Sequence, residues 1–244
     1  MNKLWLLLPF VISWAFHQDP PTLHLAGDST MADKAYVPNN PEKGWGQVLP
    51  LYLKGDIELR NHALNGRSTK SFREEGHWDS LLLAVKRGDY VIIQFGHNDQ
   101  SPEKGEHRYS APEQYKANLQ RFVAEVRDQE AIPILATSIS RRKFEGDSLV
   151  RTHGVYPDKM REVAREMEVP LLELEERSRE LILNFGEQRS KQLFLHFLPG
   201  EYARFPEGRE DDTHLSPTGA FAVCDLAVEE LKMVLPELLP YFKP

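Results

Sequence analysis

The stretch Leu23-His24-Leu25-Ala26-Gly27-Asp28-Ser29-Thr30 joins a short apolar run to a glycine, an acidic residue and two hydroxyl residues. Such a run is typical of a buried parallel strand whose carboxyl end opens into a crevice. A serine placed there faces the crevice, and the backbone N–H groups after it begin a helix that stabilises negative charge. Ser29 would also fit as an ordinary helix N-cap, so its role depends on the rest of the chain.

Around this stretch, short apolar runs alternate with longer helical patterns. The predicted strands are 22–26, 57–61, 90–95, 132–137 and 170–174. The predicted helices are 46–54, 78–87, 112–129, 156–168 and 217–234, the last one with Ser216 as its N-cap. This alternation predicts an α/β fold with a five-stranded parallel sheet covered on both faces, in a three-layer, flavodoxin-like architecture. Residues 144–155 and 186–211 are predicted to be loops with short helical pieces.

The composition of the 244 residues, 41% hydrophobic and 27% charged, is that of a soluble globular protein. We predict one domain over residues 22–244. The net charge of −7 argues against a nucleic-acid partner. The single cysteine, Cys224, excludes an intramolecular disulfide and a thiolate zinc site, and its apolar surroundings predict that it packs as a small hydrophobe.

The N-terminus has the pattern of a secretory signal. Met1-Asn2-Lys3 precedes an apolar run over residues 4–12, and Ser13 and Ala15 are the small residues that a signal peptidase reads. We therefore predict a signal peptide over residues 1–15, a linker over 16–21, and export to the periplasm or the medium without stable membrane insertion afterwards. A buried first strand and an uncleaved anchor are the alternatives.

Four short blocks fall beside strand ends or just before the last helix. They are Gly27-Asp28-Ser29-Thr30, Asn65-Gly66-Arg67-Ser68, Gly96-His97-Asn98-Asp99 and Asp211-Asp212-Thr213-His214. Acyl transfer needs a serine nucleophile, a histidine base and a carboxylate that orients the base, which Ser29, His214 and Asp211 would supply. Asp212 is an alternative orienter. The N–H groups of Ser29 and Gly66 and the side-chain amide of Asn98 would form an oxyanion hole.

In this order the blocks resemble the SGNH (GDSL-like) hydrolases. With residues 25–26, 44–47, 94–95 and 215–216, and with Arg142, Phe144 and 152–156, the chain is similar to the rhamnogalacturonan acetylesterase-like carbohydrate esterases. The resemblance implies the flavodoxin-like SGNH fold, the triad and oxyanion hole named above, and no metal or cofactor. It also implies a serine esterase that removes O-acetyl groups from rhamnogalacturonan or related pectin. Alternatives are a xylan deacetylase, a short-chain or lysophospholipase-like esterase, and a catalytically silent carbohydrate-binding protein.

Further residues are candidates for binding an acetylated polysaccharide. They are Trp45, Arg67, His97 and Arg142. Packing is the alternative for Trp45, and ordinary solvated charge is the alternative for the two arginines and for the neighbouring Lys70, Arg73, Arg141 and Lys143. A second Gly-Asp-Ser at residues 146–148 follows a polar run rather than a strand, so Ser148 is not the predicted nucleophile.

Overall fold

The computed structural model describes residues 20–37 and 40–244. The predicted signal peptide and residues 16–19 of the predicted linker lie outside the described residues. The strands are β1 (Thr22–Gly27), β2 (Glu58–Asn61), β3 (Tyr90–Gln94), β4 (Ile132–Ala136), β5 (Phe144–Glu145), β6 (Ser148–Leu149), β7 (Leu171–Leu172), β8 (Phe194–Phe197) and β9 (Arg209–Leu215). The α-helices are α1 (Trp45–Val48), α2 (Thr69–Glu74), α3 (His77–Leu82), α4 (Pro112–Asp128), α5 (Tyr156–Glu166), α6 (Leu174–Arg189) and α7 (Pro217–Val234). Within the described part, no helix is both long and apolar enough to cross a membrane.

Five of these strands form one parallel sheet in the order β2-β1-β3-β4-β7. The predicted five-stranded parallel sheet and its flavodoxin-like architecture are confirmed. In this order the connections change direction between β1 and β3, and ligands of open α/β sheets bind outside the carboxyl ends of the strands at such a point. Ser29 follows β1 and His97 follows β3, so both lie at this switch point.

The core is divided by the sheet into two apolar clusters. On β3, Ile92 belongs to one cluster, while Val91 and Ile93 belong to the other, and all three are fully buried. Helices α1 and α7 contribute to the first cluster, and α3, α4 and α5 contribute to the second. Because each face of the sheet is covered, the strands are apolar at nearly every position, which is the pattern seen in the sequence.

Helix α7 begins and ends at the predicted residues. Its N-cap is Ser216, whose hydroxyl oxygen accepts a hydrogen bond of 3.1 Å from the Gly219 backbone N–H. Cys224 is buried in the first apolar cluster, so the prediction that it packs as a small hydrophobe is confirmed. This helix follows β9 after one residue and therefore fixes the end of the strand that carries His214.

Several predicted boundaries are wrong. The last strand of the sheet is only Leu171–Leu172. Leu174 already begins the sixteen-residue helix α6. Neither α6 nor α2 was predicted from the sequence. The region predicted as a loop over 186–211 contains β8 and the first three residues of β9, and the two strands pair antiparallel. The other predicted loop contains the small hairpin of β5 and β6 instead of helical pieces. Strand β9 is polar at every position except Leu215, and β5 and β6 have two residues each, so none of these three has the apolar run that reveals a central strand.

Candidate active site

The turn after β1 places Ser29 at the crevice. The Asp28 carboxylate is buried, and its Oδ1 accepts hydrogen bonds from the Thr30 backbone N–H at 3.0 Å and the Thr30 hydroxyl at 2.9 Å. This side chain closes a local turn on its own backbone, which fixes the direction of the residue between them. The Ser29 hydroxyl is therefore held at the mouth of a pocket rather than packed into the core.

Strand β9 carries His214, which faces Ser29, and Asp211, which faces His214. The Nε2 atom of His214 lies 3.0 Å from the Ser29 hydroxyl oxygen, and its Nδ1 atom lies 2.9 Å from Oδ2 of Asp211. The other carboxylate oxygen, Oδ1, accepts the backbone N–H groups of Thr213 and His214 at 2.9 and 3.0 Å. A serine, a histidine and a carboxylate connected in this way have the geometry of a nucleophile, a base and its orienter.

The environment of Asp211 favours its ionised form. Burial opposes ionisation, but hydrogen bonds from His214 and Arg209 and the His214 backbone N–H hold the pKa of this carboxyl well below its usual range. The guanidinium of Arg209 donates to Oδ2 at 2.7 Å. Asp211 is therefore ionised near neutral pH, and it can stabilise the imidazolium of His214.

Asp212 points away from the triad. It lies in an irregular stretch of β9, between Asp211, which pairs with Leu195, and Leu215, which pairs with Phe194, so regular strand alternation does not apply there. Its Oδ1 lies 2.7 Å from Nε2 of His196 and accepts from the Arg142 guanidinium at 2.8 Å. Arg142 also donates to the Ser190 hydroxyl, and its backbone N–H donates to the Asp212 carbonyl at 2.9 Å. The predicted substrate-binding role of Arg142 is wrong, because its side chain is buried in these contacts. Its pairing with Asp212 holds β9 on the side away from the triad.

The predicted oxyanion donors line the same pocket as Ser29 and His214. Gly66 has a φ of 73°, a left-handed conformation that other residues adopt at a cost, so a glycine is required at this turn. One N–H of the Asn98 amide donates to the Arg67 carbonyl at 3.0 Å, which orients the side chain. Among the described residues, neither the Ser29 N–H nor the Gly66 N–H donates to any acceptor. Both are free to receive a negatively charged oxygen.

The three other candidate substrate-binding residues have different surroundings. Trp45 is fully buried and donates its indole N–H to the Gln94 side-chain oxygen at 2.7 Å. The alternative of packing therefore describes this residue, and it exposes no face on which a sugar could stack. Arg67 pairs with Glu75 at 2.7 Å, outside the residues that line the pocket. His97 does line the pocket, although it is only 2% exposed. Its binding role stays a prediction.

His97 also supports the turn that carries Ser29. Its Nδ1 lies 3.2 Å from Oδ2 of Asp28, and its ring packs edge-on against His153, with 4.4 Å between the ring centroids. Burial lowers the pKa of His97, although Asp28 opposes this effect, so the imidazole is neutral near neutral pH.

The pocket has a volume of about 260 Å³, and sequence reasoning missed part of its lining. Its further side chains are Glu42, Asn65, Arg108, Arg141, Arg209 and Thr213. These residues come from loops and from the start of β9, where no apolar pattern indicates which of the many charged residues turn inward. Of the charged residues in this lining, only Arg141 was considered from the sequence, as a neighbour of the candidate Arg142. The described residues include no group of three or more histidine, cysteine and acidic side chains arranged to hold a metal ion.

Comparison with known proteins agrees with this fold. The model of the GDSL-like Lipase/Acylhydrolase family matches residues 25–220. The chain is 40% identical over 215 residues to rhamnogalacturonan acetylesterase RhgT of Bacillus subtilis (strain 168), covering 87% of this chain and 90% of that protein. It is 33% identical to the probable rhamnogalacturonan acetylesterase YesY of the same strain, covering 86% and 92%.

Solved structures share the fold. The crystal structure of YxiM from Bacillus subtilis matches with a TM-score of 0.73 and 28% identity, covering 87% of this chain and 56% of that one. An acetylxylan esterase, Axe2 from Geobacillus stearothermophilus, matches with a TM-score of 0.63 and 16% identity, covering 88% and 96%. The second likeness concerns the fold alone.

Proposed function

This chain belongs to the GDSL-like lipase/acylhydrolase (SGNH) family of esterases, and we propose that it removes O-acetyl groups from a plant polysaccharide, rhamnogalacturonan or a related pectin. Relatives at 33–40% identity are named for rhamnogalacturonan acetylesterase activity, which supports this substrate class. The main support for this reaction is that Ser29, His214 and Asp211 are connected by hydrogen bonds beside a small pocket.

In the proposed first half-reaction, His214 Nε2 takes the proton of Ser29 as the hydroxyl oxygen bonds to the acetyl carbon. The carbonyl oxygen becomes an oxyanion, which accepts hydrogen bonds from the N–H groups of Ser29 and Gly66 and from the Asn98 amide. The bond to the sugar oxygen then breaks, and His214 returns the proton to that oxygen. An acetyl-Ser29 ester remains.

In the second half-reaction, His214 removes a proton from water, and the resulting oxygen attacks the acetyl carbon of the ester. The same donors stabilise the second oxyanion. The bond to Ser29 breaks, the hydroxyl regains its proton from His214, and acetate leaves. Asp211 keeps its charge throughout and holds the imidazole in the tautomer that faces Ser29.

The size and polarity of the pocket favour an acetyl group over a long acyl chain. Every residue that lines it, within the described part of the chain, is polar, charged or glycine. A fatty acyl chain needs apolar surface to leave water, at about 0.8 kcal/mol for each buried CH₂ group, and this lining offers no apolar side chain. A lipid substrate is therefore disfavoured, and a short ester on a hydrophilic sugar fits.

The test compares Ser29→Ala with Ser148→Ala, which removes the serine of the other Gly-Asp-Ser, in the exposed hairpin strand β6. We expect Ser29→Ala to lower the hydrolysis of 4-nitrophenyl acetate by roughly 10⁴-fold or more with an unchanged circular dichroism spectrum, and Ser148→Ala to behave as wild type. Wild type should also release acetate from acetylated pectin and lose activity steeply from acetate to octanoate esters. Normal turnover by folded Ser29→Ala, or a preference for octanoate, would refute the proposal.

Export is a further part of the proposal. The apolar run and the small residues of positions 1–15 support cleavage by a signal peptidase, and a polymeric substrate outside the cell would require it. Expression of the whole chain with its own N-terminus, followed by mass spectrometry of the extracellular or periplasmic protein, tests this. An intact N-terminus on protein retained in the cytoplasm would contradict it.

A further inference from the structure

The pocket at Ser29 is lined by an excess of positive charge, although the whole chain carries −7. Three arginines line it, Arg108, Arg141 and Arg209, against one acidic residue, Glu42. Glu42 is already neutralised by the Lys34 ammonium at 2.8 Å, and Arg209 is held by Asp211 at 2.7 Å. Arg108 and Arg141 form no ion pair with any described residue, so the excess charge is theirs.

Arg141 is held in place without being neutralised. Its guanidinium donates to the His97 carbonyl at 3.1 Å, and burial lowers its pKa, an effect that Asp28, Glu103 and Asp211 oppose from a distance. Guanidinium groups with comparable burial elsewhere in the chain have carboxylate partners, as in the pairs Arg73–Glu125 and Arg161–Glu173. A half-buried guanidinium without such a partner retains N–H donors that a bound anion can use.

Arg108 lies directly beside the predicted oxyanion hole. A Cβ atom built on Gly66 would come within 3.1 Å of its Nη1 atom, which measures how closely the guanidinium approaches this turn. Its Nε donates to Nε2 of His107 at 3.1 Å, a contact that leaves the terminal nitrogens available to a ligand. One cation therefore borders the reacting centre at Gly66, and a second borders it at His97.

We propose that Arg108 and Arg141 bind the carboxylate of a uronic acid residue in the same polysaccharide whose acetyl ester is held at Ser29. This inference rests on the proposed function and assigns the residues that make the site selective for an acidic chain. A guanidinium matches a carboxylate with two parallel N–H donors and stays charged at all relevant pH values. The hydroxyl of a neutral sugar would leave both charges unneutralised in the pocket.

The surroundings of Arg141 indicate on which side the carboxylate binds. A second pocket, of about 410 Å³, adjoins Arg141 on its other side and is lined by Gln100, Ser101, Glu103 and Thr152. The negative charge of Glu103 disfavours a carboxylate there. Because the side toward Ser29 has Arg108 and no unpaired acid, the carboxylate should lie between the two arginines.

The first test uses the wild-type enzyme, so no substitution can complicate it. Acetylated pectic oligosaccharides are prepared with free carboxylates and, in a matched batch, with the carboxylates converted to methyl esters. We expect kcat/KM for acetate release to be roughly 10- to 100-fold higher for the free acid at low salt, the range of one or two charge-assisted hydrogen bonds. Equal rates on the two batches would overturn the inference while leaving the esterase function intact.

The second test assigns the effect to residues. In Arg108→Gln and Arg141→Gln we expect the ratio of kcat/KM between the free acid and the methyl ester to fall at least about fivefold. Arg87→Gln is the matched control. It removes an exposed arginine, paired with Glu130, that lies just before β3, at the opposite end of the strands from Ser29. This variant should keep the wild-type ratio.

The ratio separates substrate recognition from a general loss of activity. If both arginine variants lose activity equally on the two batches, the residues support the oxyanion hole or the local fold, and the proposal is wrong. Arg141→Lys adds a further check, since it keeps the charge but loses the paired donors, and should show an intermediate ratio. If wild-type enzyme hydrolyses 4-nitrophenyl acetate but releases no acetate from either batch, the proposed polysaccharide substrate is refuted instead.

Discussion

The guanidinium of Arg209 donates a hydrogen bond of 2.7 Å to Oδ2 of Asp211. The same oxygen faces Nδ1 of His214, so one carboxylate oxygen lies between an arginine and the candidate base. Arg209 also packs over the ring of Phe205, with 5.4 Å between the guanidinium carbon and the ring centroid. This contact helps to fix the guanidinium, although the side chain remains 42% exposed. The arginine therefore adds a permanent positive charge next to a histidine that must become positive during catalysis.

Arg209→Gln should lower kcat modestly, by roughly tenfold or less. The variant removes one donor to Oδ2 of Asp211, while this carboxylate keeps its contact with His214 Nδ1 and the backbone N–H donors of Thr213 and His214. The loss is small because solvent screens the exposed guanidinium.

The measurement is kcat for 4-nitrophenyl acetate at neutral pH. Arg204→Gln removes an arginine over the same Phe205 ring without touching Asp211, and serves as the control. A loss in Arg209→Gln as large as that expected for removal of the Asp211 carboxylate would contradict the prediction.

The two neighbouring aspartates should respond very differently to substitution by asparagine. Asp211→Asn replaces the acceptor for His214 by an amide that can impose the wrong tautomer, so kcat should fall on the order of 10³- to 10⁴-fold. Asp212→Asn should keep activity within roughly tenfold but lower the free energy of unfolding by about 1–2 kcal/mol, because the buried Arg142 loses its charged partner. Steady-state kinetics and urea unfolding of both variants provide the check. A larger loss of kcat in Asp212→Asn would exchange their roles.

The central sheet was predictable because its strands are buried on both faces. Val91, Ile92 and Ile93 form an uninterrupted apolar run, and the predicted strand differs from β3 only by its last residue. Helix α6 was not predictable in the same way. Its first turns contain Glu175, Glu176 and Arg177, and the preceding leucines extended the predicted strand into it. Its weak amphipathic pattern gave no sign of a face that packs against α7.

The meeting of the candidate triad and oxyanion donors was predictable because they occur in short blocks beside strand ends, where the topology brings them together. Ser29 and His214 are 185 residues apart in sequence and still meet at one crevice. The arginines of the pocket have no such signal. Arg141 and Arg142 are adjacent, yet one lines the pocket and the other is buried against Asp212. Which of them faces substrate depends on the path of a loop, which local sequence does not specify.

His62→Gln should make the protein less sensitive to acid. His62 Nε2 lies 3.1 Å from Nδ1 of the fully buried His24, and the rings stack with 5.3 Å between their centroids. Burial, the His24 ring and Arg60 lower the pKa of His62 to about 4, from the ordinary histidine value of 6.5. The folded protein therefore binds fewer protons than the unfolded chain between these values, and the free energy of unfolding falls as the pH drops through this window.

The test is urea unfolding at pH 7 and pH 5. Between these values wild type should lose about 1–2 kcal/mol more than His62→Gln, since glutamine does not titrate and can still hydrogen-bond His24. Asp89 and Glu58 also face this cluster and remain in both proteins. His77→Gln, at a partly exposed helix start, controls for the loss of one histidine and should follow wild type. Parallel losses in all three proteins would contradict the prediction.

Asp99→Asn should have the opposite pH dependence, because Asp99 is a buried carboxyl whose neutral form is favoured. Burial raises its pKa to about 7 from the ordinary aspartate value of 3.8, although its Oδ1 accepts from the Thr69 N–H at 3.0 Å and the Thr69 hydroxyl at 2.5 Å. The folded state then holds a proton that the unfolded chain has lost, so stability declines as the pH rises from about 4 through 7 and stays lower above it.

Asparagine keeps the acceptor oxygen and carries no charge. Between pH 5 and pH 8 the variant should therefore gain about 1–3 kcal/mol relative to wild type in urea unfolding, whereas the exposed Asp79→Asn should gain nothing. An unchanged difference between Asp99→Asn and wild type at the two pH values would mean that Asp99 is ionised throughout, with its charge stabilised by Thr69 and Ser110.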